Sequence, residues 1–149
     1  MRLFGTGGFP YYLLIMSVAT EATSLGRQAR NDDNLPVARQ YYAKAAKAYR
    51  EANDLLAYAH TIRHIADIYQ PERNPGETKP LYEEALELYR SDLDTKLLEL
   101  ANTVRPYTLL IEEEGDPATA RKLWEEAEIS TVRFGWKQAF LNVTHISRG

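Results

Sequence analysis

Apolar and small residues along this chain keep a spacing that returns after 40 residues and again after 42. Ile62, Ile65, Ala66 and Tyr69 follow one face of a helix, and Tyr82 and Ala85 continue the pattern on the next segment. Forty residues earlier stand Ala22, Leu25, Gly26, Ala29, Tyr42 and Ala45. Forty-two residues later stand Val104, Tyr107, Thr108, Ile111, Trp124 and Ala127. Each set divides over two helices, so the spacing predicts three antiparallel helix pairs, at about 17–52, 54–92 and 94–134. A last amphipathic stretch, 136–147, carries Trp136, Ala139, Phe140 and Val143 and is expected to cap the stack.

The helix starts repeat together with the apolar columns. Asn34, Asn74 and Asp116 precede the second helix of each pair at the same 40- and 42-residue intervals; Asp54 or Asn53 precedes the first helix of the second pair, and Asp94 that of the third. Asparagine and aspartate suit these places because their side-chain oxygens accept backbone N–H groups that a new helix leaves unpaired. Glu77, three residues after Asn74, is placed for a capping box. Gly115-Asp116-Pro117 reads as a helix stop, a cap and a first helical residue. Pro80 is expected in or near a first turn, where it is tolerated, and Pro106 falls inside a long helix, where it removes one backbone hydrogen bond. An ordinary bundle of six or seven helices shares the spacing within each helix but gives no reason for caps and aromatic-then-alanine pairs to recur.

These columns resemble the tetratricopeptide repeat family. Leu25-Gly26, Ala38, Tyr42 and Ala45 match its pattern in the first unit, Ala66, Tyr69, Tyr82 and Ala85 in the second, and Gly115-Asp116, Ala120, Trp124 and Ala127 in the third. The closing proline of each repeat is absent, Arg50, Arg90 and Val132 lying near its place, and the period exceeds the family's usual 34 residues. The resemblance implies an all-α, right-handed superhelix, a TPR-like solenoid, whose first helices line a concave groove and bind a protein or peptide without catalysis. The groove positions are then Arg27, His60, Arg63, Asp67, Asn102 and Arg105, with Thr20, Thr23 and Leu109 beside them. Three arginines against one aspartate favour an acidic segment, because guanidinium forks pair with carboxylates. The alternative at Arg63 and Asp67 is an ordinary i, i+4 pair on a solvated helix. The lysine-asparagine clamp of chaperone-binding members is not reproduced, since Thr23, Arg27, His64, Asn102 and Pro106 fill that neighbourhood. Tyr41 and Tyr58 are candidates for exposed aromatic contacts.

The bulk numbers narrow the field further. A chain of 149 residues with net charge −3 and 26% charged residues lacks the basic balance that a nucleic-acid phosphate backbone demands. Without cysteine it has no disulfide, thiol nucleophile or thiolate metal site, which fits a reducing, cytoplasmic compartment. The longest apolar run, Phe9 to Ala19, is too short for the roughly 20 residues of a membrane span. Residues 1–16 read in three ways: an apolar leader docked on the first helix pair, an upstream extension before a start at Met16, or a secretory signal with Ser17 and Ala19 as its small residues.

His60 and His64 stand one turn apart, but the run between them lacks the glutamate of HExxH and no third ligand is evident, so no metal or other cofactor is expected. His145 shows no evident partner. Glutamates at 83, 84, 87, 112–114, 125, 126 and 128 belong to solvated helix faces, and Gly5-Thr-Gly-Gly8 lacks the lysine of a phosphate loop. The expectation is therefore not an enzyme. A self-associating protein, joined through the apolar leader or the 136–147 cap, is the competing class.

Overall fold

In the computed structural model, residues 8–72, 74–92, 97–129 and 132 are described, and all their regular structure is helical. The helices are α1 (Gly8–Asn31), α2 (Leu35–Glu51), α3 (Leu55–Tyr69), a 3-10 turn (Gln70–Glu72), α4 (Pro75–Ser91), α5 (Leu97–Glu113) and α6 (117–129). They belong to two compact units, Met1–Leu88 and Tyr89–Gly149.

Three of the connections are the same turn, and the sequence shows why. After α1, α2 and α5 one residue takes positive φ: Asp33 and Asn53 at 58° and Gly115 at 84°. Asparagine, aspartate and glycine are the residues that enter this left-handed region at least cost. The following N–H then reaches back five residues, from Asn34 to Ala29 O (2.8 Å), Asp54 to Tyr49 O (2.9 Å) and Asp116 to Ile111 O (3.2 Å). That hydrogen bond closes a Schellman-type end. The same residue opens the next helix: Asn34 accepts from Val37 N (3.4 Å), Asp54 from Ala57 N (3.2 Å) and Asp116 from Thr119 N (3.1 Å). At Asn74 the backbone carbonyl accepts instead, from the Thr78 N–H (3.1 Å) and hydroxyl (2.8 Å).

In the first unit α1 packs on α2, and α2 on α3. The inner stripe of α1 is small, with Ala19, Ala22, Gly26 and Ala29 buried, and it receives Ala38, Tyr42, Ala45 and Tyr49 from α2. Gly26 lies directly against the Tyr42 ring, whose nearest atoms are 3.1 Å from where a Cβ would stand. Ala29, Ala38, Tyr42 and Ile68 form one buried cluster, flanked by Leu35, Val37 and Ile65. Tyr82, Ala85 and Leu86 of α4 are fully enclosed.

In the second unit α5 buries Ala101, Val104, Tyr107, Leu110 and Ile111. Thr103 and Thr108 are buried as well, their hydroxyls satisfied by Glu99 O (2.8 Å) and Val104 O (2.7 Å) one turn back. In α6 the stripe is Ala120, Leu123 and Ala127.

Several expectations need correction. α1 begins at Gly8, not near residue 17, so residues 8–16 lie in the same helix as the first repeat; Pro10 falls in the first turn, where its missing N–H has no helical partner to lose. Phe9, Tyr11, Tyr12, Leu13 and Leu14 are exposed, and Ile15 is the first buried residue of the helix. Pro80 is the sixth residue of α4, past the first turn, because that helix starts at Pro75. Trp124 and Val132, expected inside, are exposed; Leu123 takes the buried position, and the Trp124 indole N–H donates to Glu112 (2.6 Å) at the flank. Pro106, by contrast, lies inside a long helix as expected, since α5 runs helical on both sides of it. The cap at 136–147 and the role of Asp94 lie outside the described residues.

Candidate functional site

α3 carries the residues that matter most. Its period brings His60, Arg63, His64 and Asp67 to adjoining positions, one turn apart, and α1 and α4 supply the rest of the surroundings. Arg30 Nη1 of α1 stands 3.1 Å from His64 Nδ1. His64 Nε2 stands 3.0 Å from His60 Nε2, and Arg63 Nη2 stands 3.4 Å from His60 Nδ1. Arg63 Nη1 then donates to Asp67 Oδ2 at 3.0 Å. The Tyr82 hydroxyl of α4 donates to the other oxygen, Asp67 Oδ1, at 2.7 Å, and lies 3.3 Å from Gln70 Oε1. The two imidazoles meet edge-on, ring centroids 4.5 Å apart, and His64 stacks on Tyr42 at 5.5 Å with planes 13° apart.

The electrostatics are uneven along this line. Burial, followed by the charges of Arg63, His60, Arg30 and Arg27, pulls His64 down to about 3, so the imidazole is neutral at physiological pH. Burial, followed by the Asp67 carboxylate, pushes the Tyr82 phenol far up, so it remains a hydrogen-bond donor. Three guanidinium groups thus surround the histidine pair, and Asp67 already accepts from both Arg63 and Tyr82. A metal cation between the two Nε2 atoms would be repelled by those arginines, and among the described residues no group of three His, Asp or Glu is placed to hold one.

The structure sorts the expected groove residues. Arg27 is exposed on α1, and His60 and Asp67 are part-exposed on α3. Arg63 is only 8% exposed. That corrects its placement as an open groove residue: its charge is committed to Asp67 within the first unit. Arg30 and His64, absent from the expected set, hold the open end of the line. A signal for them existed in the sequence: Arg30 lies one residue beyond Ala29 of the buried stripe, and His64 lies between Ile62 and Ile65. Asn102, part-exposed, and Arg105, exposed, belong to the second unit. There Arg105 borders an open hollow of about 380 Å³ shared with Trp124, Ala127, Glu128 and Val132. Tyr58 is buried, not exposed: Glu84 accepts its hydroxyl at 2.8 Å and the Arg50 guanidinium lies 5.4 Å from its ring centroid.

Compared with known proteins, the sequence matches no family model and no curated protein. Among the described residues no helix is long and apolar enough to cross a membrane.

Proposed function

We propose that this chain is a non-catalytic, tetratricopeptide-like interaction module, and that its first unit binds an acidic segment of a protein partner beside α1 and α3. One observation carries the reading: Arg27, Arg30 and Arg63 crowd the neutral imidazole of His64, with Asp67 as their counter-charge, on a chain whose net charge is −3. The repeated turns support it by fitting stacked helix pairs of a solenoid, which present side chains along a continuous face. Arg27 and Arg30 offer guanidinium forks suited to carboxylates. Binding of a fluorescent tetraglutamate peptide is the test. Arg27→Gln combined with Arg30→Gln should weaken it at least tenfold with helical circular dichroism unchanged, and equal binding by the double variant would overturn the assignment.

A self-associating protein is the second reading, favoured by the exposed Phe9, Tyr11, Tyr12, Leu13 and Leu14 at the start of α1. Sedimentation of the full chain beside a Leu13→Asp, Leu14→Asp variant separates the two: a dimer lost in the variant supports this reading, and monomers in both discard it.

A further inference from the structure

From Gly8 to Thr20 the chain has no aspartate, glutamate, lysine or arginine. Every residue from Gly8 to Leu14 is exposed, and Phe9, Tyr11, Tyr12, Leu13 and Leu14 keep between 44% and 71% of their surface open to solvent. Residues 9–14 make about one and a half turns at 3.6 residues per turn, so these side chains face every side of the helix. Burial within the first unit begins only at Ile15 and continues with Ala19 and Ala22. The exposed tip is nonetheless part of one continuous helix, α1. The Tyr11 hydroxyl donates to Glu51 (2.6 Å), the last residue of α2, and so ties the tip to the body of the unit.

We propose that this tip docks on a lipid surface, with Phe9, Tyr12, Leu13 and Leu14 entering the layer where headgroups meet acyl chains. Gly8 to Leu14 rises about 10 Å at 1.5 Å per residue. That matches the burial depth of an interfacial helix, about 5–10 Å, and falls far short of the roughly 30 Å of a hydrocarbon core. The open area of the tip is on the order of 500 Å². A second protein helix laid against it covers one side, about half of that, whereas a stable protein interface takes roughly 800 Å² from each partner. A fluid lipid surface has no such limit, because it closes round every side. Composition points to the same depth: tyrosine joins an apolar ring to a polar hydroxyl and is enriched at the membrane–water boundary. The first-turn N–H groups, which have no acceptor within the helix, meet headgroup oxygens and water there, and Pro10 removes one such donor. Because the segment is uncharged, the contact is apolar and a zwitterionic lipid suffices. Arg27 lies about 20 Å further along α1 than Leu14, so the proposal does not rest on the acidic-segment reading.

Flotation of the full chain with phosphatidylcholine vesicles tests the proposal. The expected result is recovery of the protein with the lipid, to the same extent at low and high salt, because screening acts on charges and not on apolar contact. Leu13→Asp combined with Leu14→Asp should lower the partition at least about tenfold with helical circular dichroism unchanged. Phe9→Ala combined with Tyr12→Ala adds no charge and should lower it severalfold by loss of apolar area alone. Flotation of both variants equal to that of the parent chain moves the lipid contact off the tip and overturns the proposal. Flotation only with anionic phosphatidylserine vesicles, lost at high salt, overturns it as well, because the contact then belongs to basic side chains. No flotation of the full chain overturns it outright; where sedimentation then shows a dimer that the aspartate variant loses, the occupant of the tip is a second copy of this chain.

Discussion

Asp67 and His64 stand three residues apart on α3, and their surroundings are opposite in kind. Around Asp67 charge and hydrogen bonding are closed: Arg63 takes one carboxylate oxygen and Tyr82 the other, each partner 8% exposed or less. Around His64 the surroundings are cationic, with Arg27 and Arg30 from α1 and Arg63 from its own helix. The closed end has the properties of a structural tie between α3 and α4. The open end carries a charge excess that stability alone does not call for. One helix thus serves both purposes by setting them one turn apart.

The comparison breaks most visibly if the closed end is opened. Asp67→Ala leaves the Arg63 guanidinium largely buried without its counter-charge, and should cost about 3 kcal/mol, read as a thermal midpoint lower by roughly 10 °C. A shift under about 2 °C would mean that solvent or other groups already neutralise Arg63. Tyr82→Phe removes only the hydroxyl from a fully enclosed ring. The carboxylate loses a charge-assisted hydrogen bond, and the expected cost is about 2 kcal/mol, measured by urea denaturation.

A third substitution probes the wall between the two ends. Gly26→Ala gains helix propensity, up to about 1 kcal/mol, but its methyl meets the Tyr42 ring at 3.1 Å, and that ring is buried and stacked on His64. Overpacking of this kind costs about 1–3 kcal/mol, so the net effect should be a loss of about 1 kcal/mol in the same assay. A gain in stability would show that Tyr42 can move, and that the stack does not hold His64 in place.

How far the sequence disclosed this arrangement depends on the kind of interaction. Asn34, Asp54 and Asp116 were legible as caps because capping is local: one side chain, a neighbouring turn, and a left-handed residue just before it. The buried columns were legible for the same reason, since Ala38, Tyr42 and Ala45 lie on one face at helical spacing. The start of α1 was misjudged because glycines near residue 8 and Pro10 resemble a loop, whereas a first turn tolerates both. The open character assigned to Arg63 failed for a long-range reason. Its position opposite Ile62 and Ile65 suggests solvent, but Asp67 pairs with the largely buried guanidinium, and that carboxylate is held in turn by Tyr82, fifteen residues beyond it. Arg30 beside His64 is a contact across 34 residues, beyond any spacing rule within a helix.

The smallest effect on stability, and the sharpest on the comparison, is expected at Arg30. In the folded chain His64 is held down to about 3, against an ordinary value of 6.5. The unfolded chain therefore takes up a proton near pH 6.5 that the folded chain refuses until about 3. Stability must fall as pH drops through that window, by on the order of 1 kcal/mol per unit at most, and level off below it. His64→Gln should remove this slope. Arg30→Gln removes one of the cations that disfavour the imidazolium, after burial and Arg63, and leaves the closed pair of Arg63 and Asp67 untouched. It should change stability at pH 7.5 by less than about 0.5 kcal/mol, while making the acid-side loss level off at a higher pH and weakening anion binding. A closed network behaves the other way: there, deleting a cation costs stability at neutral pH. If Arg30→Gln destabilises the protein at pH 7.5 as strongly as Tyr82→Phe does, Arg30 is a structural tie like Arg63, and the open end of the line is not a ligand site.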